Sequence, residues 1–232
     1  MFWCEQPRDV VTVTGADAAT YLQSQLSQDI RPLGVGAAAW SFLLQPTGRI
    51  DVLLRVWRTD EDRFVLDTDA GFGDVMVARL QRFRIRVKAD IEQLDWRCIA
   101  VRGAVVQGGL PAWGGGCDLL GAEPAAPEGL RQGSAEELLA ARIEAVWPAM
   151  GAEILPGETI PAETGITDVA VNFRKGCYPG QELVERMDSR AATAPRLLRR
   201  LDAAQAAAVG ATVTSRLGED VLAYVPRRAI AD

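Results

Sequence analysis

Two stretches of alternating apolar residues, joined by a short turn, constrain the fold more than any other part of the sequence. In the first stretch Trp40, Phe42 and Leu44 occupy every second position. Residues 46–49, Pro-Thr-Gly-Arg, are typical of a turn, and the alternation resumes in the second stretch with apolar residues at positions 50, 52, 54 and 56. Side chains of a β-strand alternate between its two faces, so this pattern predicts a β-hairpin.

Strands and helices are predicted on both sides of the hairpin. Residues 10–14 form a strand pattern, and Asp17 is a suitable N-cap for a helix that follows. Apolar residues at helical spacing predict a second helix over 72–83. Short strands are predicted at 64–67 and 96–101. Interleaved strands and helices of this kind indicate an α+β layered domain with a mixed or antiparallel sheet.

The strictest alternation in the chain covers residues 84–91. Ile85, Val87, Ala89 and Ile91 alternate with Arg84, Arg86, Lys88 and Asp90. The pattern predicts a further strand with one basic face. We interpret that face as solvent-exposed, and the alternative is that it borders an anion site.

The second half of the chain is less regular. Residues 102–133 are rich in Gly and Pro and are predicted to be a loop or poorly specified structure, in a shortened region. Ser134 and Glu137 have the spacing of a capping box, which predicts a helix from there to Trp147. In the last 35 or so residues the sequence predicts two short strands, at 211–214 and 221–225. That tail is too short to form an independent core.

Composition excludes several functions. The 232-residue chain has a net charge of -6, which disfavours a nucleic-acid partner held by a basic surface. It contains no histidine, so proton transfer must use other groups. The four cysteines form no Cys-x-x-Cys pair, and no local metal motif is predicted. No signal-peptide pattern or membrane-length apolar run is present, and we expect a soluble cytoplasmic protein without a membrane partner.

Residues 174–187, Arg-Lys-Gly-Cys-Tyr-Pro-Gly-Gln-Glu-Leu-Val-Glu-Arg-Met, are the strongest candidate for a functional site. They lie in a locally basic stretch, which suggests an anionic ligand or simply a solvated helix face. Gly176 and Gly180 allow a tight turn, and a helix is predicted to begin near Gln181. Lys175 and that helix start would favour a thiolate at Cys177. The alternative is that Cys177 is only a small buried filler.

The run from Lys175 to Glu182 resembles the signature of the YgfZ family, the folate-binding iron–sulfur cluster maturation proteins. Further resemblance is found at residues 14–17, 21–29, 46–49 and 83–91, and at Arg186, Met187 and Arg190. It covers about three quarters of the chain. That family is related to the aminomethyltransferase (T-protein) of the glycine cleavage system.

The resemblance implies a T-protein-like folate-binding fold, built of ferredoxin-like subdomains around a central hole. We expect that domain at residues 1–190 and an abbreviated C-terminal β-barrel segment at 191–232. It implies tetrahydrofolate as cofactor, client iron–sulfur proteins as partners, including radical enzymes that modify tRNA, and assembly or repair of [4Fe–4S] enzymes as function. Cys177 is the candidate catalytic residue. The candidate folate-binding residues are Arg174, Lys175, Gly176, Tyr178, Gly180, Gln181, Glu182, Arg186 and Arg190.

Two other functions stay open, a folate-dependent aminomethyl or methyl transferase and a non-catalytic adaptor that docks clients. In the aminomethyltransferases an Asp pair follows the hairpin turn. Val52 and Leu53 occupy those positions here, with Asp51 one residue away, which argues against transferase chemistry. Trp40, Trp57 and Trp147 are candidate walls of a pterin pocket, although each is more often part of a core.

Overall fold

The computed structural model describes residues 1–189 and 194–230, and within these ranges the chain forms three β-sheets. The strands are β1 (Phe2–Glu5), β2 (Arg8–Thr14), β3 (Ala38–Leu44), β4 (Ile50–Asp60), β5 (Arg63–Asp69), β6 (Asp90–Leu94), β7 (Arg97–Arg102), β8 (Leu110–Pro111), β9 (Cys117–Gly121), β10 (Arg131–Gln132), β11 (Arg196–Asp202), β12 (Thr212–Leu217) and β13 (Asp220–Pro226). The helices are α1 (Ala18–Gln25), α2 (Gly73–Arg82), α3 (Ala135–Glu144), α4 (Pro161–Thr164), α5 (Thr167–Ala170), α6 (Gln181–Ser189) and α7 (Ala203–Ala208), and a 3-10 turn covers Arg227–Ala229. The mixed helix and strand content confirms the α+β prediction.

The first sheet is built around the predicted hairpin, which the structure confirms. Its order is β3-β4-β5-β2-β6, and all neighbours are antiparallel. On one face, Val52 and Leu54 pack with Leu22 of α1 and Leu80 of α2. The two predicted helices therefore cover the same side of the hairpin.

The opposite face of the hairpin forms a second apolar cluster. Trp40 and Phe42 of β3 pack there with Trp147, and the same cluster contains Tyr178 and Val184 from the 174–187 segment. The hairpin is thus buried between two cores. It positions the candidate site because the 174–187 segment packs directly against it.

A second sheet has the order β10-β1-β7-β9-β8. Strand β1 pairs antiparallel with β7 and parallel with β10, where Phe2 lies opposite Arg131. Ile99, Val101 and Cys117 are buried between this sheet and its loops. The prediction that 102–133 is loop or poorly specified structure is wrong for β8, β9 and β10, because short strands flanked by glycines give little periodic signal.

The C-terminal sheet, β11-β13-β12, packs on α3 through Ile143, Leu198 and Leu222. The two short strands predicted in this tail are confirmed, and the capping box at Ser134 and Glu137 is formed. Buried Glu153 links the sheet to the rest of the chain. One of its carboxylate oxygens accepts hydrogen bonds from the hydroxyls of Thr214 and Ser215, each at 2.7 Å.

The predicted strand over 84–91 is wrong, because the regular strand begins only at Asp90. Arg86 has a φ of 58°, which no β-strand residue adopts. Ile85 is 75% exposed rather than buried on one face. The backbone N–H of Lys88 instead donates to the Asp17 carboxylate at 2.8 Å, so this segment wraps the start of α1 as an irregular loop.

The predicted domain boundary at 190/191 lies outside the described residues, so the division into 1–190 and 191–232 stays a prediction. Ferredoxin-like subdomains and an abbreviated barrel likewise remain predictions. Within the described ranges, no helix has the length and hydrophobicity that a membrane span requires.

Candidate functional site

The candidate site centres on the loop of residues 172–180, called the motif loop below, and on α6, which begins at Gln181 as predicted. The loop starts where the N–H of Asn172 donates to the carbonyl of Ser27 at 3.0 Å. The Ser27 hydroxyl in turn donates to the carbonyl of Ala170 at 2.7 Å. These bonds fasten the loop to the segment that follows α1.

Lys175 anchors the middle of the motif loop. Its ammonium donates to the backbone carbonyls of Gln23, at 2.6 Å, of Gln28, at 3.2 Å, and of Leu26. These carbonyls lie at the end of α1, where the helix dipole favours a positive charge. Burial lowers the pKa of the Lys175 ammonium to about 8, and nearby Asp29 acts in the opposite direction. Lys175 therefore joins the motif loop to the end of α1.

This role gives a test of stability. Lys175→Met is expected to lower the free energy of unfolding by about 1–3 kcal/mol, because buried carbonyls lose their donor. Lys88, the other lysine in the chain, is exposed, and Lys88→Met is expected to change stability by less than about 0.5 kcal/mol. Urea unfolding of both variants measures the difference. Equal stability of the two variants would contradict the anchoring role.

Tyr178 carries the motif loop into the second apolar cluster. Its side chain is only 7% exposed, and burial raises the pKa of its hydroxyl to about 12. Its backbone N–H donates to the side-chain carbonyl of Gln181 at 2.9 Å, which fixes the turn into α6. The hydroxyl has no hydrogen-bond partner among the described residues. Tyr178 and Gln181 thus shape the loop from within.

The two motif glycines have different roles. Gly180 has a φ of 82° and lies against the hairpin turn, close to Gly48 and the carbonyl of Gln45. The predicted tight turn is confirmed here. At Gly176 a Cβ would meet no atom within 4 Å, and its φ is not positive. Gly176 lies outside the turns at 173–174 and 179–180, so the predicted tight turn is absent at this glycine.

Cys177 is the only exposed cysteine of the four, since Cys4, Cys98 and Cys117 are all buried. All four are free thiols. The alternative of a small buried filler is therefore wrong for Cys177. The expected influence of Lys175 on the thiol is weakened, because its ammonium is bound to carbonyls at the end of α1.

The remaining predicted residues lie on the surface or outside the description. Arg174, Glu182 and Arg186 are exposed. Among the described residues, neither Arg174 nor Arg186 has an ion-pair partner. Arg190 lies outside the described residues. Two arginines thus remain available to an anion, whereas Lys175, Tyr178 and Gln181 make internal contacts.

An apolar groove with a volume of about 200 Å³ borders this site. Phe173 of the motif loop lines it together with Leu183, Val184 and Met187 of α6. The spacing of these three helix residues places them on one side of α6. The other walls come from α4, α5, β11 and the 3-10 turn, and they include Arg227.

Between the first and second sheets lies a buried ionic network that sequence reasoning missed. Arg55 of β4 is fully buried, and it contacts Asp67 of β5 at 3.0 Å and Asp118 of β9 at 2.9 Å. Arg8 contacts Asp67 at 2.7 Å, and Arg102 contacts Asp118 at 2.8 Å. The network joins the two sheets through side chains. The available signal was a single arginine inside the otherwise apolar run of residues 52–57.

The predicted pterin walls are not open. Trp40 and Trp147 pack edge to face with ring centroids 4.8 Å apart inside the second cluster, and the guanidinium of Arg55 lies 5.3 Å from the Trp40 ring. Trp57 packs against Trp96 instead, with centroids 6.4 Å apart. These contacts favour the core role over a ligand-binding role for Trp40 and Trp147.

The structure shows what Val52 and Leu53, which follow the hairpin turn, contact. Val52 belongs to the first cluster and Leu53 to the second, so both are core residues on opposite faces. Asp51 accepts a hydrogen bond from the Gln45 amide at 2.8 Å and contacts Arg79 at 3.3 Å. Its carboxylate is therefore bound to neighbours within the fold.

This chain resembles known proteins both in sequence and in structure. Residues 9–111 match the GCVT N-terminal domain. The glycine cleavage system aminomethyltransferase T from Bartonella henselae has a similar structure, with a TM-score of 0.70 and 17% sequence identity over 97% of this chain and 78% of that one. The chain has the aminomethyltransferase fold. Since the sequence identity is low, this similarity establishes the fold alone.

Two relatives extend the similarity beyond the aminomethyltransferase fold. An uncharacterized protein from Haemophilus influenzae is 28% identical over 189 residues, 79% of this chain and 67% of the relative. The iron-sulfur cluster assembly factor IBA57 homolog, mitochondrial, from Pyricularia oryzae is 27% identical over 220 residues, which cover 85% of this chain. The chain spans 56% of that assembly factor's length.

Proposed function

We propose that this protein is an assembly factor for iron–sulfur clusters on client enzymes. The observation that carries the proposal is the exposure of Cys177 alone among the four thiols, on a loop held in place by buried contacts. Similarity to a protein named as an iron-sulfur cluster assembly factor supports it. The narrower proposal is membership of the YgfZ family, with [4Fe–4S] clients that include tRNA-modifying enzymes, and a cytoplasmic location.

A single exposed thiol limits the chemistry that this site can perform. An iron–sulfur cluster is held by four ligands, mainly thiolates. Within the described part of the chain, no group of three or more potential ligands lies together. Cys177 therefore acts as a single transient ligand or in sulfur or disulfide exchange, and the client or a donor supplies the remaining ligands. Such a site favours transfer of a cluster over its storage.

The test is restoration of iron–sulfur enzyme activity in a strain that lacks this protein. Cys177→Ala and Cys177→Ser are expected to abolish restoration, because no neighbouring thiol replaces the lost ligand. Cys4→Ala removes a buried thiol and is expected to restore activity like the wild type. Thermal unfolding of each variant is the control for stability. Little change is expected for the Cys177 variants because this side chain is exposed. Full restoration by Cys177→Ser would refute the proposal.

We also propose tetrahydrofolate as a ligand of the same site. Its anionic glutamate tail fits the exposed guanidinium groups of Arg174 and Arg186, because arginine pairs well with carboxylates. When bound, folate would carry a one-carbon unit. Lys175, Tyr178 and Gln181 make internal contacts and so hold the surface that carries these two arginines in place. Gly176, Gly180 and Glu182 lie beside them in the chain.

Calorimetric titration with tetrahydrofolate tests this ligand. The double variant Arg174→Ala/Arg186→Ala is expected to bind roughly tenfold or more weakly, because two charge-assisted contacts are lost. Arg63→Ala changes an exposed arginine of β5 and is the matched control. Absence of binding to the wild type at millimolar ligand would favour the adaptor function, without folate.

The aminomethyltransferase fold supports one further candidate, a folate-dependent transferase. It is opposed by Val52 and Leu53, apolar residues at the positions where the resemblance places the Asp pair that serves the reacting amine in the aminomethyltransferases. Formation of product from an aminomethyl or methyl donor and tetrahydrofolate would favour this candidate over the assembly factor.

A further inference from the structure

Residues 26–28, which follow α1, bond to the hairpin on one side. The N–H of Ser27 donates to the carbonyl of Phe42 at 3.1 Å, and Leu26 forms an isolated antiparallel bridge with Leu43. The Ser27 hydroxyl accepts a further hydrogen bond, from the N–H of Phe42 at 2.8 Å. The place of this segment is therefore set by β3, the first strand of the hairpin.

The backbone carbonyls of the same three residues bond to the motif loop. The Lys175 ammonium donates to the first and the third of them, and the N–H of Asn172 donates to the second. Cys177 comes only two residues after Lys175 in the chain. The segment 26–28 thus connects the hairpin to the loop that carries the exposed thiol.

The side chains of Ser27 and Gln28 hold the end of α5, the helix that leads into the motif loop. The hydroxyl of Ser27 donates to the carbonyl of Ala170 at 2.7 Å, and the Gln28 amide donates to the carbonyl of Val169 at 2.8 Å. These are the last two carbonyls of α5, and the last carbonyls of a helix have no partner within it. The two side chains therefore fix the point from which the loop departs.

We propose that Ser27 and Gln28 are positioning residues for Cys177. The proposal rests on the assembly function above and specifies which residues hold the thiol for it. A cluster ligand shared between two proteins must lie at a defined place, because the other ligands come from the partner. A loop already held in place also loses less conformational entropy on meeting a client. Ser27 is fully buried, so it acts through the backbone of α5 and the motif loop and not by contact with the client.

A nitroxide spin label on Cys177 tests the proposal in the full chain, because Cys177 is the only exposed cysteine. Ser27→Ala removes the hydroxyl that pairs two buried backbone groups. The label is then expected to tumble roughly twofold or more faster, because the start of the loop is released. Gln28→Ala, at a half-buried position, is expected to change it in the same direction. Electron paramagnetic resonance line shapes measure both effects.

Matched variants separate positioning from a general loss of stability. Thr159 is also buried, and its hydroxyl likewise accepts one backbone N–H, at 3.0 Å, and donates to one backbone carbonyl, at 3.4 Å. Thr159→Val is therefore expected to lower the melting temperature much as Ser27→Ala does, but to leave the label unchanged. Gln93→Ala removes an exposed amide that donates to Asp74 at 2.7 Å and is the control for Gln28→Ala.

Restoration of iron–sulfur enzyme activity measures whether the position of the thiol matters to function. Ser27→Ala is expected to lower the restored activity roughly tenfold or more, because a reactive group out of place reacts slowly. Thr159→Val is expected to restore activity like the wild type. Melting temperatures verify that each variant folds, and Gln28→Ala decides alone if Ser27→Ala does not fold.

The outcomes separate the two proposals. An unchanged label in Ser27→Ala and Gln28→Ala, an equal change in Thr159→Val, or full restoration by Ser27→Ala would each overturn the positioning proposal. Those results leave the assembly function standing if Cys177→Ser still fails to restore activity. A faster label and reduced restoration in Ser27→Ala, together with full restoration by Cys177→Ser, would uphold positioning of the loop and overturn the role of the thiol.

Discussion

Asp67→Asn is expected to lower the free energy of unfolding by about 3–5 kcal/mol, the largest effect of any single substitution proposed for this chain. The Asp67 carboxylate is completely buried and is shared by Arg55 and Arg8, at 3.0 Å and 2.7 Å. The amide that replaces it carries no charge. Two buried guanidinium groups would then lose their common counter-charge, and burial of an uncompensated charge is costly.

Chemical denaturation at neutral pH measures this loss. Asp220→Asn is the matched control, because Asp220 pairs with Arg200 on the surface with a 57% exposed side chain. Exposed ion pairs contribute about 0–1 kcal/mol, so the control is expected to remain close to the wild type. A difference below about 1 kcal/mol between the two variants would show that the network contributes little to stability.

The same network makes stability depend on pH. Burial alone would raise the pKa of Asp67, but the neighbouring Arg55 and Arg8 hold it below its ordinary value. A carboxyl in the unfolded chain has a pKa of about 3.9. The stabilisation by Asp67 is therefore fully present above that pH and is lost as the pH falls through the lower pKa of the folded state. The difference in the free energy of unfolding between the wild type and Asp67→Asn is expected to become smaller in that acidic range.

Gly180→Ala is expected to destabilise the protein by roughly 2–4 kcal/mol, from a positive φ and a steric clash together. The φ of Gly180 is 82°, and an added Cβ would lie 2.8 Å from Cα of Gly48 and still closer to the carbonyl of Gln45. Both neighbours are backbone atoms of the hairpin turn. They cannot rotate away as a side chain would, so the motif loop would have to move.

Gly176→Ala provides an internal comparison within the same motif. An added Cβ there meets nothing within 4 Å, and the change in stability is expected to stay within about 0.5 kcal/mol. Differential scanning calorimetry of the two alanine variants would show the contrast. If both glycines tolerated alanine equally, close packing of the motif loop on the hairpin would be disproved.

Sequence patterns predicted the parts of the fold that repeat regularly. The hairpin, α2 and the capped start of α3 have strong periodicity or capping chemistry, and all three are confirmed. The alternation over 84–91 misled because the backbone N–H groups of residues 84 and 85 donate to the nearby carbonyls of residues 81 and 83, and the backbone of Lys88 pairs with Asp17. Periodicity indicates which faces a segment could have, but tertiary hydrogen bonds decide whether it is extended.

The site was harder to predict because its contacts join distant segments. The sequence identified the motif and the start of α6. It could not identify the partners of Lys175, which lie about 150 residues away in α1 and at its end. Likewise Arg55, Asp67 and Asp118 come from three strands, and their pairing depends on how two sheets meet. No local pattern carries that information. The resemblance supplied candidate residues, and the structure separates those that support the loop from those that face solvent.

Strand β1 has a consequence for how the chain folds during synthesis. Its partners in the second sheet are β7 and β10. The pairing of β1 can be completed only after Arg131, 129 residues beyond Phe2, has been synthesised. At about 5–20 residues per second, that interval is roughly 6–26 s. Non-local pairing of this kind slows folding because a long loop must close first. By contrast, β11, β12 and β13 are neighbours in sequence and can pair as soon as they emerge from the ribosome.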